Sequence, residues 1–211
     1  IDETNVLVTA VSDRKLKKGL GFLPLTVDYR EKAYAAGRIP GGFFKREGRP
    51  RGNEILAARV IDRSIRPLFP DDYRYEIQVL LSVISFDLEN DPEPIGVLGA
   101  SSVLTVSDIP FNGPIGCVRV GRIANQFVIH PGLPVREESS LDLVVAGTGK
   151  SIIMVEGKAE ELSEEIFVEA LDFARPYLAE QVEFQKRIRD EIGQEKREYE
   201  SFVVPEELER I

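Results

Sequence analysis

Among 211 residues the chain has one cysteine, one histidine, one methionine and no tryptophan. A lone cysteine rules out a disulfide within the chain, and zinc sites of Cys/His spacing lack their ligands. Any nucleophile–histidine machinery would have to run through Cys117 and His130. Cys117 stands in the strand-like run Cys117-Val118-Arg119-Val120, where a small buried hydrophobe is the fitting reading. His130 follows Phe127-Val128-Ile129 and precedes Pro131-Gly132, the position of a strand end. Hydrolysis of the triad type finds no support. No apolar run reaches the ~20 residues of a membrane-crossing helix, and no signal-peptide pattern opens the chain. Ile1-Asp2-Glu3-Thr4 leads straight into a strand-like segment, so further residues are expected upstream.

What is present is charge, unevenly placed. The net charge is −9, yet residues 30–66 hold ten basic residues against four acidic ones. That segment therefore carries +6, and the remaining 174 residues carry −15. One basic element on an acidic body is the pattern of a localised polyanion site.

Periodicity gives an α+β reading. Strands are expected at residues 6–11, 22–29 and 77–85, with a polar loop at 14–19. A helix is expected from Asn53, as N-cap, to Arg66, where Pro67 stops it. Residues 95–106 are small and apolar, as in a helix packed closely on a sheet. Short strands at 117–120, 126–129, 141–145 and 152–155, with turn punctuation between them, suit an antiparallel sheet. From Glu156 onward 17 acidic residues face eight basic ones, with Leu162, Ile166, Ala170 and Phe173 at helical spacing. Pro176 and Gly193 would divide this tail into about three helices, with the charge on a solvated face.

Gly147-Thr148-Gly149-Lys150-Ser151 resembles half of a phosphate-binding loop. The full pattern needs a glycine where Val144 stands, and it must open a helix rather than the strand-like Ile152-Ile153-Met154-Val155. A plain turn between strands is the better reading.

Residues 38–52 form a long Gly-, Pro- and Arg-rich loop containing Phe43-Phe44-Lys45-Arg46 and Arg49. Aromatic rings among cations suit single-stranded nucleic acid, with bases stacked on rings and cations along phosphates. A plug between subunits is the equal alternative on spacing alone. On the helix that follows, Arg59, Arg63 and Arg66 fall within roughly 60° of one another. Asp62 cannot neutralise all three. A phosphate-rich ligand is favoured over a solvated face, because guanidinium forks match phosphate oxygens.

The run from Pro24 through Arg30 to Pro50 resembles the first core domain of polynucleotide phosphorylases. So does Ile61-Asp62-Arg63-Ser64-Ile65-Arg66-Pro67-Leu68-Phe69-Pro70, with Ser64 where that family usually has proline. Ile109-Pro110-Phe111-Asn112-Gly113-Pro114-Ile115-Gly116 and the blocks at 141–148 extend the resemblance to residue 157.

The resemblance implies a ribonuclease-PH-like α+β fold of the ribosomal-protein-S5-domain-2 type, its mixed and antiparallel sheets packed with helices. Residues 1–157 would be the first core domain and 158–211 an all-α linker segment. It implies a phosphate-dependent 3'-to-5' exoribonuclease of mRNA degradation, releasing nucleoside diphosphates from single-stranded RNA in a homotrimeric ring. Phe43, Phe44, Lys45, Arg46 and Arg49 would line the RNA aperture, with Lys45 in place of the family's first arginine. Arg59, Arg63 and Arg66 would border the cleft. In the family's active copy an Asp-x-Lys strand helps bind metal and phosphate. Here it reads Asp142-Leu143-Val144, so Mg2+ is assigned to a second core domain and none to this chain, which alone is expected to be inactive. Inorganic phosphate is the implied co-substrate, and an endoribonuclease or a helicase are implied partners, without a membrane. The implied compartment is the bacterial cytoplasm, with an organellar counterpart left open. The alternative is a non-catalytic structural subunit of an exosome-like ring.

Overall fold

The computed structural model describes residues 2–17, 21–42, 46 and 48–201. The first layer is a three-stranded sheet of order β1-β3-β2, formed by β1 (Asn5–Leu16), β2 (Leu25–Glu31) and β3 (Tyr75–Ser85). β1 runs antiparallel to β3, and β2 runs parallel to it. Both β1 and β3 alternate, so Val6, Val8 and Ala10 join Ile77, Val79 and Leu81 in the core. Leu7, Val11 and Leu80 point away to solvent. The expected polar loop at 14–19 starts later than its charges imply, because β1 pairs through Leu16. An edge strand tolerates Arg14 and Lys15 on its open side.

α1 (Gly52–Ile65) and α2 (Pro92–Val106) cover the inner face of this sheet. Val60, Ile61 and Ile65 are buried, each stabilising the fold by about 1.5–3 kcal/mol. The N-cap of α1 is Arg51, not Asn53. The Glu54 carboxylate, at the third position of the helix, accepts the Arg51 N–H at 2.6 Å and starts the helix early. α2 comes close enough to β1 that a Cβ on Gly99 would lie 2.7 Å from the Val8 side chain. That contact is why a helix of small residues lies here.

The second layer is an antiparallel sheet of order β5-β4-β6-β7: β4 (Gly116–Ile123), β5 (Gln126–Ile129), β6 (Leu141–Gly147) and β7 (Ile152–Ala159). β4 and β6 are buried on both faces, which explains why they are mostly apolar, with Arg119 and Asp142 as buried charged exceptions. Cys117, Val144, Ala146 and Met154 join the core of α1 and α2. Val118, Val120, Leu143 and Val145 pack on Ala170, Ala174 and Leu178 of α4 (Glu164–Ile192). The turn at 148–151 joins β6 to β7, as expected for a segment that is no phosphate-binding loop. A four-residue α3 (Leu133–Arg136) lies between β5 and β6.

The tail is one helix to Ile192 rather than three pieces. Pro176 costs it a single backbone hydrogen bond, and the buried Ala170, Ala174, Leu178 and Val182 hold the turns on either side against the sheet. Gly193 does end it, and residues 193–201 have no regular structure. Among the described residues no helix is long and apolar enough to cross a membrane.

Candidate nucleic-acid interface

The basic segment begins at the end of β2 and runs through a 3-10 turn (Ala33–Ala36), closed by Gly37 in the left-handed region at φ 65°. Phe43, Phe44 and Lys45 lie outside the described residues. Arg46 is exposed, its Nε donating to the Gly41 carbonyl at 3.4 Å. Arg49 is exposed and has no ion-pair partner among the described residues.

Arg51, which no sequence pattern singled out, is used internally. Its guanidinium meets the Glu31 carboxylate at 3.0 Å, and Asn53 Nδ2 donates to the same oxygen at 3.1 Å. Glu54 is 4% exposed and accepts the backbone N–H groups of both Arg51 and Glu31. Burial alone would raise its pKa. The two N–H donors and the Arg51 charge outweigh that and hold the carboxyl below its ordinary value. This staple fixes the end of β2 to the start of α1. Its one legible signal was Glu54 in the first helical turn.

Arg59 and Arg63 on α1 and Arg66 at its C-cap share a face but not a role. Arg66 Nε and Nη2 grip Asp62 at 2.9 and 2.6 Å. Its Nη1 and Nη2 also reach the carbonyls of Leu23 and Leu25, at 3.0 and 3.2 Å. Arg63 pairs with Glu156 on β7, while its Nε donates to the Arg59 carbonyl. Arg59 is exposed and has no ion-pair partner among the described residues. It borders a groove of about 420 Å3 between β2 and α1, whose other walls include Thr26, Asp28, Ile55 and Ala58. Ile55 is 48% exposed at this groove, so an apolar surface and an unneutralised cation stand side by side. A cation beside an apolar face is chemistry complementary to a phosphate next to a base or ribose, while Asp28, Glu54 and Asp62 line the same groove.

At the N-terminal end of α2 lies a cluster of opposite character. Arg119 on β4 is 6% exposed, and its guanidinium meets Asp91 at 2.8 Å, Glu93 at 3.0 Å and Asp142 at 2.5 Å. Arg136 of α3 adds contacts to Asp91 at 2.6 Å and Asp142 at 3.6 Å. Burial pushes the Glu93 carboxyl up, against the pull of Arg119. Burial also drives the His130 imidazole below its ordinary value, with Arg119 adding to the effect and Asp91 opposing it. The crevice at Arg119 and His130 is about 50 Å3, room for water and no nucleotide. Both Asp142 oxygens are held by arginines, and Val144 beside it on β6 carries no charge. These residues do not fit a divalent cation, since the guanidiniums already supply the countercharge.

Residues 1–110 match the 3' exoribonuclease family, domain 1, and residues 113–176 match domain 2 of the same family. The junction falls between the α2 layer and β4, where one sheet gives way to the other. The chain is 50% identical over 208 residues to a polyribonucleotide nucleotidyltransferase of Thermodesulfovibrio yellowstonii, covering 99% of this chain and 29% of that protein. With the polyribonucleotide nucleotidyltransferase of Myxococcus xanthus it shares 53% identity over 198 residues, covering 94% of this chain and 27% of that protein. The chain thus spans under a third of the curated relatives it matches. A crystal structure of rice (Oryza sativa) Rrp46 superposes with a TM-score of 0.70 at 12% identity, covering 89% of this chain and 84% of that one, which is a likeness of fold. A split α+β core of two sheets, matched by both family domains in order, makes this chain a member of the 3' exoribonuclease (ribonuclease PH) family.

Proposed function

We propose that this chain is the RNA-binding, cleft-completing portion of a polyribonucleotide nucleotidyltransferase, a phosphate-dependent 3'-to-5' exoribonuclease. The observation that carries the reading is Arg59, a guanidinium with no ion-pair partner among the described residues, at a groove that follows directly on the basic loop. Single-stranded RNA would pass Phe43, Phe44, Lys45, Arg46 and Arg49 and reach the groove with a phosphate on Arg59. Arg63 and Arg66 would border the cleft mainly by holding its walls. Phosphorolysis itself would take place in a second core domain, with Mg2+ held there. Support for that division comes from Asp142, whose charge is spent on Arg119 and Arg136. Inorganic phosphate would be the co-substrate, the assembly a homotrimer and the setting mRNA degradation in the cytoplasm. Residues 1–157 would form the core domain, with α4 of the helical segment 158–211 packed on its second sheet before the chain leads onward.

The test is release of nucleoside diphosphates from poly(A) with phosphate and magnesium. The full-length protein is expected to turn over and the isolated 211-residue chain to be inactive. Turnover by the isolated chain, after trace full-length enzyme is removed, overturns the assignment of catalysis to another domain. A full-length protein that binds RNA without phosphorolysis overturns the enzymatic reading.

A further inference from the structure

We propose that residues 194–200 form a clasp, latched by Lys196 on the C-terminal end of α2 and by Tyr199 on the rim of the first hydrophobic core, which sets the direction in which the chain leaves α4. The proposal does not depend on the activity proposed above.

The clasp begins where Gly193 ends α4, its N–H donating to the Arg189 carbonyl at 2.7 Å. The backbone then runs across the C-terminal end of α2. Gln194 N–H donates to Val106 O, and Arg197 N–H donates to Asp108 O, both at 2.8 Å. Between them the Lys196 ammonium uses all three donors on carbonyls of that helix end. It reaches Leu104 at 2.7 Å, Thr105 at 3.2 Å and Ser107 at 2.7 Å. The last carbonyls of a helix lack intrahelical partners and carry the negative end of its dipole, so a cation is held there by both. Arg197 adds an ion pair to Asp108 at 2.6 Å.

The second latch is aromatic. The Tyr199 ring stands edge-on to Tyr73 at 5.0 Å and 80°, and edge-on to Tyr75 at 6.4 Å and 82°. Its hydroxyl donates to Asp72 Oδ1 at 2.8 Å, and the Glu200 N–H donates to the Tyr75 hydroxyl at 3.1 Å. Residue 200 is thereby delivered to the entry of β3, on the first sheet, although α4 belongs to the second.

Apart from Tyr199, which is half-buried and packs on the rim of the first core, the segment is held by hydrogen bonds and one ion pair. No strand pairing includes it, and residues 193–195, 198 and 200 are exposed. Such a segment belongs to the low end of the local-stability range, able to open while the core stays folded. Opening would free the following polypeptide to swing on the end of α4.

The experiment is amide hydrogen exchange in the full-length protein, wild type against Lys196→Met and Tyr199→Leu. Lys196→Met keeps the stem and removes the three donors. Tyr199→Leu keeps apolar bulk and removes the ring edges and the hydroxyl. In the wild type, the amides of Gln194, Arg197 and Glu200 are expected to be protected. In either variant their exchange should rise roughly tenfold to hundredfold together, because one latch alone holds the segment poorly. Amides of α2 and β3 should keep their wild-type rates. Unprotected clasp amides in the wild type overturn the proposal, as do unchanged rates in both variants. A rise that spreads into α2 and β3 also overturns it, showing the segment to be part of the core.

Discussion

Arg66 and Asp62 form a two-pronged ion pair within one helix, at 2.6 and 2.9 Å, and the same guanidinium ties that helix to the carbonyls of Leu23 and Leu25. The arginine thereby fastens the end of α1 to the start of β2. Arg66→Ala removes a two-nitrogen carboxylate contact and leaves two carbonyls to find water. The expected loss is about 2–3 kcal/mol in urea unfolding. Arg66→Asp should lose more, since its new carboxylate faces Asp62. An unchanged unfolding midpoint in both variants would return Arg66 to the status of a free phosphate ligand.

Arg59 should show the reverse profile. It makes no ion pair among the described residues, so Arg59→Ala is expected to shift stability by less than about 0.5 kcal/mol. In the full-length protein the same change should lower kcat/KM for poly(A) phosphorolysis roughly tenfold to hundredfold, the loss of one charge-assisted phosphate contact. Arg59→Asp should lower it further. Wild-type kinetics in Arg59→Asp would make the residue an ordinary solvated charge.

Arg119 sits among three carboxylates at 6% exposure, so its removal leaves them without most of their countercharge. Arg119→Met should cost about 3–5 kcal/mol, the range for breaking one side of a buried ionic cluster. The double change Arg119→Met with Asp142→Leu should recover part of that loss. Equal destabilisation in the single and double variants would show that packing, not charge, sets the cost.

Glu54 gives the acid limb of stability a named contributor. Its folded pKa lies below the ordinary 4.5, through the Arg51 and Glu31 N–H groups and against the desolvation that opposes them. A depressed carboxyl stabilises the fold fully above the unfolded value and progressively less as pH falls through the folded one. Stability should therefore fade below about pH 4.5, and Glu54→Gln should flatten part of that slope. Calorimetry of both proteins from about pH 3 to about pH 5.5, roughly one unit on either side of the carboxylate values, checks it. A Glu54→Gln protein with the wild-type slope would remove Glu54 from the account.

Local pattern carried the elements whose residues repeat at period 2 or 3.6. Val6, Val8 and Ala10 alternate against solvent-facing Leu7 and Val11, and Ile61 and Ile65 recur one helical turn apart. The P-loop-like Gly147-Thr148-Gly149-Lys150-Ser151 was legible as a turn because the strand after it was legible. Pro176 misled, because a proline's cost is local while the burial of Ala170, Ala174 and Leu178 is shared over the whole helix. Phe43, Phe44 and Lys45 remain a reading of the sequence, outside the described residues.

By itself the sequence determined most of the strands and the first two helices, where the positive charge gathers, and that Asp142 lacks a charged neighbour two residues on. Only the tertiary structure decided what each charge does. Arg59, Arg63 and Arg66 are equivalent on a helical wheel, yet their partners come from none, from β7, and from Asp62 with the start of β2. Glu156 is far along the chain from Arg63, and Arg119 meets Asp142 only because β4 and β6 pair in one register. Ion pairs depend on distance in space, and periodicity reports only on neighbours along the chain; the pairing of sheets and helices is what converts a row of identical arginines into two fasteners and one, Arg59, with no ion-pair partner among the described residues.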